Sequence, residues 1–256
     1  MGIAVQSCIL LNRLIPARRK ACNEQASYAD HEYTSTVRKL GWYAGQVELR
    51  GATVLDAGCG HGGRTVYYAE RGCREVIGVD AEPYNIERAA AFARKRQTRN
   101  VRFLRARLEH LPFAAATFDI VLLNDVVEHL VRPVLIDALR ECGRVLKPGG
   151  RLCVDFPPWT AHHASHLPLG IPWCHLLFST DTLVGVTQRI SADARLVPQF
   201  LELNRITIQE FDALVHALGF RVIHYERRMI RNHAWLERIP GLRDYVTSEV
   251  TAVLSV

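Results

Sequence analysis

Residues 53–63, with the sequence TVLDAGCGHGG, limit the fold of this chain more than any other stretch. The first residues are apolar or β-branched and predict a buried strand, and Gly58, Gly60 and Gly63 have the spacing G-x-G-x-x-G. A helical pattern begins directly afterwards, at Arg64. Because glycine permits positive φ angles and lets a ligand approach the backbone closely, the stretch predicts a strand, a turn and a helix that together hold a nucleotide-like cofactor.

Asp56 narrows the choice of cofactor, because it lies two residues before the first glycine of the turn. A dinucleotide places its phosphates at the start of the helix, where this carboxylate would repel them. A cofactor that carries a positive charge would be attracted instead. The turn therefore favours a cationic cofactor, while an NAD-dependent oxidoreductase stays an alternative because it would share the glycine spacing.

A second acidic residue follows at the end of the next predicted strand, residues 75–80. Asp80 lies 24 residues beyond Asp56, close to the distance at which an acidic strand end accepts hydrogen bonds from ribose hydroxyls. We therefore expect Asp80 to bind the ribose of the cofactor. The structural alternative is an acid at a helix start, where the helix dipole favours it.

From residue 51 onwards the pattern alternates strand and helix with short connections, which is typical of an α/β fold with a doubly wound parallel sheet. Helical patterns follow the strands and support the alternation. Further strands are predicted at residues 101–106, 118–124, 151–156, 220–226 and 246–254, and helices at 84–96, 134–144 and 207–218.

The segment before this core, residues 1–50, is predicted to be a helical lid. An apolar stretch at 3–14 is separated by Pro16 from a polar and aromatic stretch at 28–43. The aromatic side chains of this segment either close over the cofactor and the acceptor or pad the sheet. They are Tyr28, Tyr33, Trp42 and Tyr43.

Three motifs stand within this framework: D-A-G-C-G-H-G-G at 56–63, L-P-F at 111–113 and L-K-P-G-G at 146–150. They resemble motifs of the class I S-adenosylmethionine-dependent methyltransferases, similar to the group of ubiquinone and menaquinone biosynthesis. The resemblance covers 51–156 and 207–256. It implies a Rossmann-like, doubly wound sheet of seven strands, mostly parallel, with an antiparallel C-terminal hairpin strand. It also implies S-adenosyl-L-methionine as cofactor and S-adenosyl-L-homocysteine as product.

The same resemblance implies a set of cofactor-binding residues, and one position departs from the family. Arg107 stands where the family usually has an aspartate that binds the adenine amino group. The backbone N–H of Leu108 is still expected to meet the adenine ring. His129, after the fourth strand, either contacts the acceptor or is a structural histidine at a helix start. The implied cofactor-binding residues are Asp56, Gly58, Cys59, Gly60, Asp80, Ala81, Leu108, Asn124 and Asp125.

Residues 157–206 form a long connection before the helix at 207–218, and we predict that they are an inserted cap that binds the methyl acceptor. The favoured interpretation of the histidines in this segment is a general base, His166 or His175, that takes the proton of an acceptor hydroxyl. A second is a metal site, although no recognised zinc-binding pattern is present. The third is a solvated lid with packing histidines. We expect no metal; the ligands of the metal alternative would be His162, His166, His175 and either Asp155 or Cys174.

The charge and the cysteine content limit which partners the chain can bind and in which compartment it works. A net charge of +6 and a pI near 9.1 would permit an acidic partner, but the basic residues are spread out, so a nucleic-acid partner is not expected. Seven cysteines without a C-x-x-C pair indicate reduced thiols in the cytoplasm. No apolar run reaches the roughly 18 residues that a membrane span requires.

The sequence thus predicts an enzyme that transfers a methyl group to a small molecule, with oxygen as the favoured acceptor atom and His175, His166 and His129 as candidate catalytic residues. An RNA methyltransferase is the alternative within the class, and a non-catalytic module that binds the cofactor is the alternative outside it. The predicted units are the lid at 1–50, the cofactor-binding core at 51–156, the cap at 157–206 and the C-terminal helix and strands at 207–256.

Overall fold

The computed structural model describes residues 3–15, 28–43, 45–230 and 234–256. The side chains of residues 38–42 lie outside the described part, and with them the predicted aromatic contact of Trp42. None of the described helices is long and apolar enough to cross a membrane.

A single sheet of seven strands forms the centre of the molecule, in the order β3-β2-β1-β4-β5-β7-β6. The first five strands pair in parallel, and β7 pairs antiparallel with both β5 and β6. This arrangement confirms the predicted doubly wound α/β fold. The strands are β1 (Thr53–Ala57), β2 (Glu75–Asp80), β3 (Val101–Arg105), β4 (Phe118–Asn124), β5 (Leu146–Phe156), β6 (Arg221–Met229) and β7 (Thr247–Ser255).

Helices cover the sheet and also form the N-terminal and inserted segments. Their starts follow local signals: proline occupies the first turn of the helices that begin at Pro83 and Arg132, and Thr207 and Glu210 form a capping box. The helices are α1 (Ile3–Leu14), α2 (Tyr28–Trp42), α3 (Gly63–Ala69), α4 (Pro83–Lys95), α5 (Arg132–Val145), α6 (Cys174–Leu177), α7 (Thr180–Ile190), α8 (Leu196–Glu202), α9 (Ile208–Ala217) and α10 (Arg243–Val246), with short 3₁₀ helices at Val127–His129 and Ala234–Arg238.

The two faces of the sheet belong to two apolar clusters. Leu55 of β1 points into the larger cluster, which includes Leu139 of α5 and Phe211 of α9. Its neighbour Val54 points to the opposite face and packs in a cluster with Tyr67 of α3. Because successive side chains of a strand point to opposite faces, a central strand covered on both sides buries all of its residues, as β1 does.

The start of β5 differs from the prediction. The L-K-P-G-G stretch was expected to be a turn before a strand at 151, but Leu146 already pairs with Phe118 and belongs to the strand. The register shifts between Phe118 and Ile120, and Gly149 has a φ of 75°. A bulge of this kind needs a residue that tolerates positive φ, so the glycines continue the strand with an irregularity rather than ending it.

The segment 157–206 contains α6, α7 and α8 and has an apolar cluster of its own, which includes Leu183 and Phe200. Cys8 of α1 is part of this cluster, and the side chain of Asn12 accepts a hydrogen bond from the backbone N–H of Gly170 at 2.7 Å. By contrast, α2 packs against α3 and α4. The two N-terminal helices therefore lie on different parts of the molecule: α1 on the inserted segment and α2 beside the glycine turn.

Candidate active site

The turn between β1 and α3 has the backbone that its glycines predict. Gly58, Gly60 and Gly62 have φ angles of 80°, 54° and 79°. The backbone N–H groups of residues 58 and 59 both donate to the carbonyl oxygen of Val79, at 2.8 and 2.9 Å. A Cβ atom on Gly58 would lie 2.6 Å from a methyl group of Val126, so only glycine fits there. The turn is thereby held tightly against the ends of β2 and β4.

Asp80 lies at the end of β2, directly beside this turn. One carboxylate oxygen accepts a hydrogen bond from the backbone N–H of Gly60 at 3.0 Å. The other accepts from the backbone N–H of Glu82 at 2.9 Å and from the side chain of Asn85 at 3.0 Å. Asp80 therefore connects the glycine turn to the start of α4, at the edge of the sheet where α/β folds bind ligands.

Asp56 lies below the turn rather than on its surface. It is 2% exposed, and its carboxylate accepts a hydrogen bond from the hydroxyl of Thr65 at 2.6 Å. Burial raises the pKa of Asp56 to about 6, so the group is mostly ionised at neutral pH. Its charge thus acts on a ligand of the turn through space and not by direct contact.

Glu32 of α2 is a residue of the turn that the sequence did not indicate. Its carboxylate accepts a hydrogen bond from the backbone N–H of Gly63 at 3.1 Å, and the residue is 4% exposed. A Cβ atom on Gly60 would lie 2.6 Å from the other carboxylate oxygen. Burial raises the pKa of Glu32 to about 7. No local pattern marks this residue, because its position depends on how α2 packs on α3.

The end of β4 carries a second polar group around Asn124 and Asp125. Arg64 of α3 donates to the backbone carbonyl of Asn124 at 2.7 Å and forms an ion pair with Asp125. The hydroxyl of Tyr43 donates to Asn124 at 3.0 Å and to Asp155 at 2.8 Å. Asp125 has a φ of 53°, in the left-handed region that aspartate occupies more readily than most residues. The structure therefore adds Arg64 and Asp155 to the predicted residues of this edge.

Two buried donors of this group have no hydrogen-bond partner among the described residues: the side-chain amide nitrogen of Asn124 and Nε of Arg64. An unpaired buried donor costs about 1–3 kcal/mol. A ligand with acceptor oxygens at this edge would recover that cost. Together with the glycine turn, which leaves no room for a side chain at Gly58, these donors fit a bound cofactor with a polar end.

The aromatic side chains of the N-terminal segment do not act alike. Tyr43 is fully buried, and the ring of Tyr33 packs edge-on against Tyr67 with centroids 5.3 Å apart. The rings of Tyr43 and Tyr33 therefore pad the sheet, and the hydroxyl of Tyr43 in addition reaches the end of β4. Tyr28 is 55% exposed, and its ring lies 5.1 Å from that of His61 in the glycine turn. Among the described aromatic side chains of this segment, Tyr28 is the one that lies exposed beside the glycine turn, the position expected of a lid residue.

A cleft of about 350 Å³ continues from Asp80 along the ends of β2 and β3. Arg107 borders this cleft and pairs with Glu109, so the residue that departs from the family pattern lies where it can meet a ligand. Leu108 is buried beside it, at 7% exposure. The cleft is lined by Ala81, Glu82, Arg105, Ala106 and Arg107.

The three candidate catalytic histidines fall into two places. His129 follows β4 and His166 belongs to the inserted segment, yet their ring centroids are only 5.1 Å apart. His175 is buried in the inserted segment, where Nε2 donates to the carbonyl oxygen of Trp159 at 2.7 Å and the ring packs edge-on against Trp159. Desolvation lowers the pKa of both His129 and His175, which keeps these imidazoles neutral near pH 7. His129 and His166 thus lie next to each other, whereas His175 is hydrogen-bonded to Trp159 within the inserted segment.

The ligand set of the metal alternative is not assembled. Among the described residues, the groups with metal-binding geometry are Glu128 with His129 and His166, and Asp125 with Asp155 and Glu249. Neither group contains His162 or His175, the other histidines of the predicted set. The ring of His162 instead packs against His163 and Trp173.

A seven-stranded sheet of this order, with a glycine turn after β1 and an acid after β2, defines the class of Rossmann-like, cofactor-binding α/β proteins. Residues 55–154 match the family model of a methyltransferase domain. An uncharacterized methyltransferase of Mycobacterium avium (strain 104) is 28% identical over 214 residues, which are 83% of this chain and 81% of the relative.

Two further proteins are similar to this chain. The ubiquinone biosynthesis O-methyltransferase of Neisseria meningitidis serogroup C (strain 053442) is 33% identical over 113 residues, 44% of this chain and 47% of that relative, so the chain spans about half its length. The crystal structure of magnesium protoporphyrin IX methyltransferase from Synechocystis PCC 6803, with bound S-adenosylhomocysteine, has the same fold with a TM-score of 0.56 and 16% identity over 91% of this chain and 89% of that chain.

Residues 55–154 thus match a methyltransferase domain, and these similarities support a class I S-adenosylmethionine-dependent methyltransferase with S-adenosyl-L-methionine as its cofactor. The sulfonium charge of this cofactor suits the negative charge of Asp56, the residue that favoured a cationic cofactor in the sequence. The alternative of an NAD-dependent oxidoreductase is thereby removed.

Proposed function

We propose that this chain transfers the methyl group of S-adenosyl-L-methionine to an oxygen atom of a small molecule, which binds between the carboxyl edge of the sheet and the segment 157–206. The observation that carries the proposal is the pairing of His129 with His166 across these two parts of the molecule. The relative in Neisseria meningitidis is by name an O-methyltransferase of ubiquinone biosynthesis, which supports a small acceptor with a hydroxyl group.

The cofactor, when bound, supplies an electrophilic methyl group on a sulfonium and leaves as S-adenosyl-L-homocysteine. Asp80 would hold the ribose hydroxyls, and the backbone N–H of Leu108 would meet the adenine ring. Arg107 would lie over the adenine end, where its guanidinium can stack on the base. The polar end of the cofactor would lie near Asn124 and Arg64, whose buried donors would then find acceptors.

Proton transfer falls to a histidine of the pair. His129 or His166 would accept the proton of the acceptor hydroxyl as the oxygen attacks the methyl carbon, and a neutral imidazole is needed for this. The lowered pKa of His129 supplies a neutral imidazole near pH 7. His175 is the weaker candidate, because its Nε2 is engaged by the carbonyl of Trp159.

Replacement of the base tests this proposal. His166→Asn should lower kcat by roughly 10²- to 10⁴-fold, the usual contribution of a general base, because the acceptor then has to lose its proton to water. Binding of S-adenosylhomocysteine, measured by calorimetry, should stay the same. Turnover would be measured as release of S-adenosylhomocysteine with a panel of phenols and catechols.

The variant His175→Ala serves as the comparison. If only His175→Ala lowers turnover and His166→Asn does not, the base is His175, the other of the two candidates that the sequence favoured. Tight binding of the cofactor without turnover of any acceptor would favour the non-catalytic module. Binding of RNA that weakens steeply with salt would favour the nucleic-acid alternative.

We also propose a reducing compartment such as the cytoplasm. The described cysteines are free thiols and all of them are buried, which supports the assignment made from the sequence. Cys22 lies outside the described residues.

A further inference from the structure

We propose that Glu128, His129 and His166 form a binding site for a divalent transition-metal cation that links the core of the fold to the segment 157–206. The inference goes beyond the proposed methyl transfer and does not depend on the identity of the acceptor. It involves the same two histidines as the proposed base, and a ring nitrogen that binds the cation cannot accept a proton, so the two roles exclude each other at that nitrogen.

The geometry of the three side chains carries the proposal. Oε1 of Glu128 lies 3.9 Å from Nε2 of His129 and 3.9 Å from Nε2 of His166. All three ligand atoms lie within 4.8 Å of one another. A tetrahedral cation with bonds of about 2.0–2.2 Å would hold its ligand atoms about 3.4 Å apart. Each carboxylate–imidazole distance would then shorten by roughly 0.5 Å, and the imidazole–imidazole distance by at most about 1.4 Å.

The chemistry of the three ligands selects the class of cation. Two imidazoles and one carboxylate suit zinc and its neighbours in the first transition row, whereas calcium and magnesium prefer oxygen ligands only. Three protein ligands leave a fourth position open for water or another oxygen. His129 and His166 are partly exposed, at 41% and 30% of their side chains, so a cation can reach the site from solvent.

The ligands are held in place by the surrounding structure. Glu128 is 4% exposed, and a carboxylate at that depth is stabilised by a neighbouring cation. The side-chain amide of Asn204 donates to the backbone carbonyls of Val127 and Leu130, at 2.6 and 2.7 Å, and so fixes the turn that carries Glu128 and His129.

The backbone at His166 brings its side chain to the site. His166 has a φ of 55°, in the left-handed region where histidine, like asparagine and aspartate, occurs several times more often than other residues with a side chain. Its imidazole reaches from the inserted segment to 3.9 Å from the carboxylate of Glu128.

The experiment uses the full chain, freed of metal by dialysis against a chelator and then titrated with cobalt(II) chloride. Visible absorbance of cobalt(II) reports its nitrogen and oxygen ligands, and calorimetry with zinc chloride gives the stoichiometry. We expect one cation per chain. His166→Asn and Glu128→Gln should each weaken binding by on the order of tenfold or more. Asparagine is chosen at 166 because it tolerates positive φ and so keeps the backbone.

His163→Asn is the matched control, since His163 is exposed in the same segment and lies outside the three-ligand cluster. It should bind cobalt as the unchanged chain does. The proposal is overturned if the unchanged chain binds with a Kd weaker than about 1 mM, or if His166→Asn and Glu128→Gln bind as tightly as His163→Asn. Because these readouts need neither cofactor nor acceptor, their failure is distinct from a failure of the proposed methyl transfer.

Discussion

Glu32 shows how a single buried carboxylate can make the glycine turn sensitive to pH. The folded chain holds its pKa near 7, against an ordinary value of 4.5, because burial disfavours the charged form. The protonated form keeps α2 in place beside Gly63 at low cost. Ionisation of the carboxyl group lowers the free energy of unfolding, because the charged carboxylate stays buried and poorly solvated.

The expected outcome follows from the sign of this shift. Between pH 4.5 and 7 the folded chain binds a proton at Glu32 that the unfolded chain has lost, so the free energy of unfolding falls as pH rises, by up to about 1.4 kcal/mol per pH unit. Glu32→Gln removes this term. Its stability relative to the unchanged chain should therefore rise across that window and level off above pH 7, as measured by urea unfolding at several pH values. A difference that does not vary with pH would contradict the assignment.

At the scale of the elements, Asn204 connects the end of the inserted segment to the turn after β4. Its backbone N–H donates to the carbonyl of Glu128 at 2.9 Å, and its side chain makes the two bonds that fix this turn. The side-chain oxygen also accepts from the backbone N–H of Ile206 at 2.9 Å. The side chain of Asn204 thus fixes the turn that carries the candidate base His129 and also the backbone at Ile206, just before α9.

Asn204→Ala should lower the free energy of unfolding by about 1.5–4.5 kcal/mol, because three side-chain hydrogen bonds worth roughly 0.5–1.5 kcal/mol each are lost. Asn100→Ala is the matched control: its side chain donates to the carbonyls of Ala69 and Cys73, at 3.0 and 2.9 Å, away from the histidine pair. Both variants should lose stability in chemical unfolding. Only Asn204→Ala should also reduce turnover and cobalt binding; equal effects of the two variants would show that Asn204 has no positioning role.

The sequence predicted the elements of the core to within a few residues, because their apolar patterns are local. The second strand, residues 75–80, agrees with the structure, and the helix predicted at 207–218 is α9 with Thr207 as its cap. The start of β5 was missed because a pair of glycines can end a strand or bulge within one, and only the pairing with β4 decides between these.

The residues that the sequence missed depend on contacts between distant parts of the chain. Glu32 lies outside any motif, and the packing of α2 brings it to the glycine turn. Tyr43 was predicted among the aromatic residues of the N-terminal segment, but its hydrogen bond to the end of β4 was not predicted. Likewise, the proximity of His129 to His166 requires the path of the segment 157–206, which no short pattern fixes. The sequence motifs were enough to predict the cofactor, whereas the candidate residues near the acceptor were brought together only by the folded structure.

For the molecule as a whole, the open edge of the sheet predicts a ligand-dependent stability. The glycine turn, Asp80 and the end of β4 come from separate elements, and a cofactor that contacts all of them binds only the folded chain. S-adenosylhomocysteine at 100 times its Kd should therefore stabilise the chain by about 2.7 kcal/mol. For a chain of 256 residues this corresponds to a rise in Tm of roughly 5–10 °C.

The matched variant for this measurement is Asp80→Asn, which keeps the size of the side chain and an acceptor for the N–H of Gly60 but removes the charge beside the turn. Its Tm should rise much less at the same ligand concentration, because a neutral amide is a weaker acceptor for ribose hydroxyls than a carboxylate. NADH should leave the Tm of both proteins unchanged, since its phosphates would meet Asp56 and Asp80. An equal rise for both proteins with S-adenosylhomocysteine would place the ribose away from Asp80.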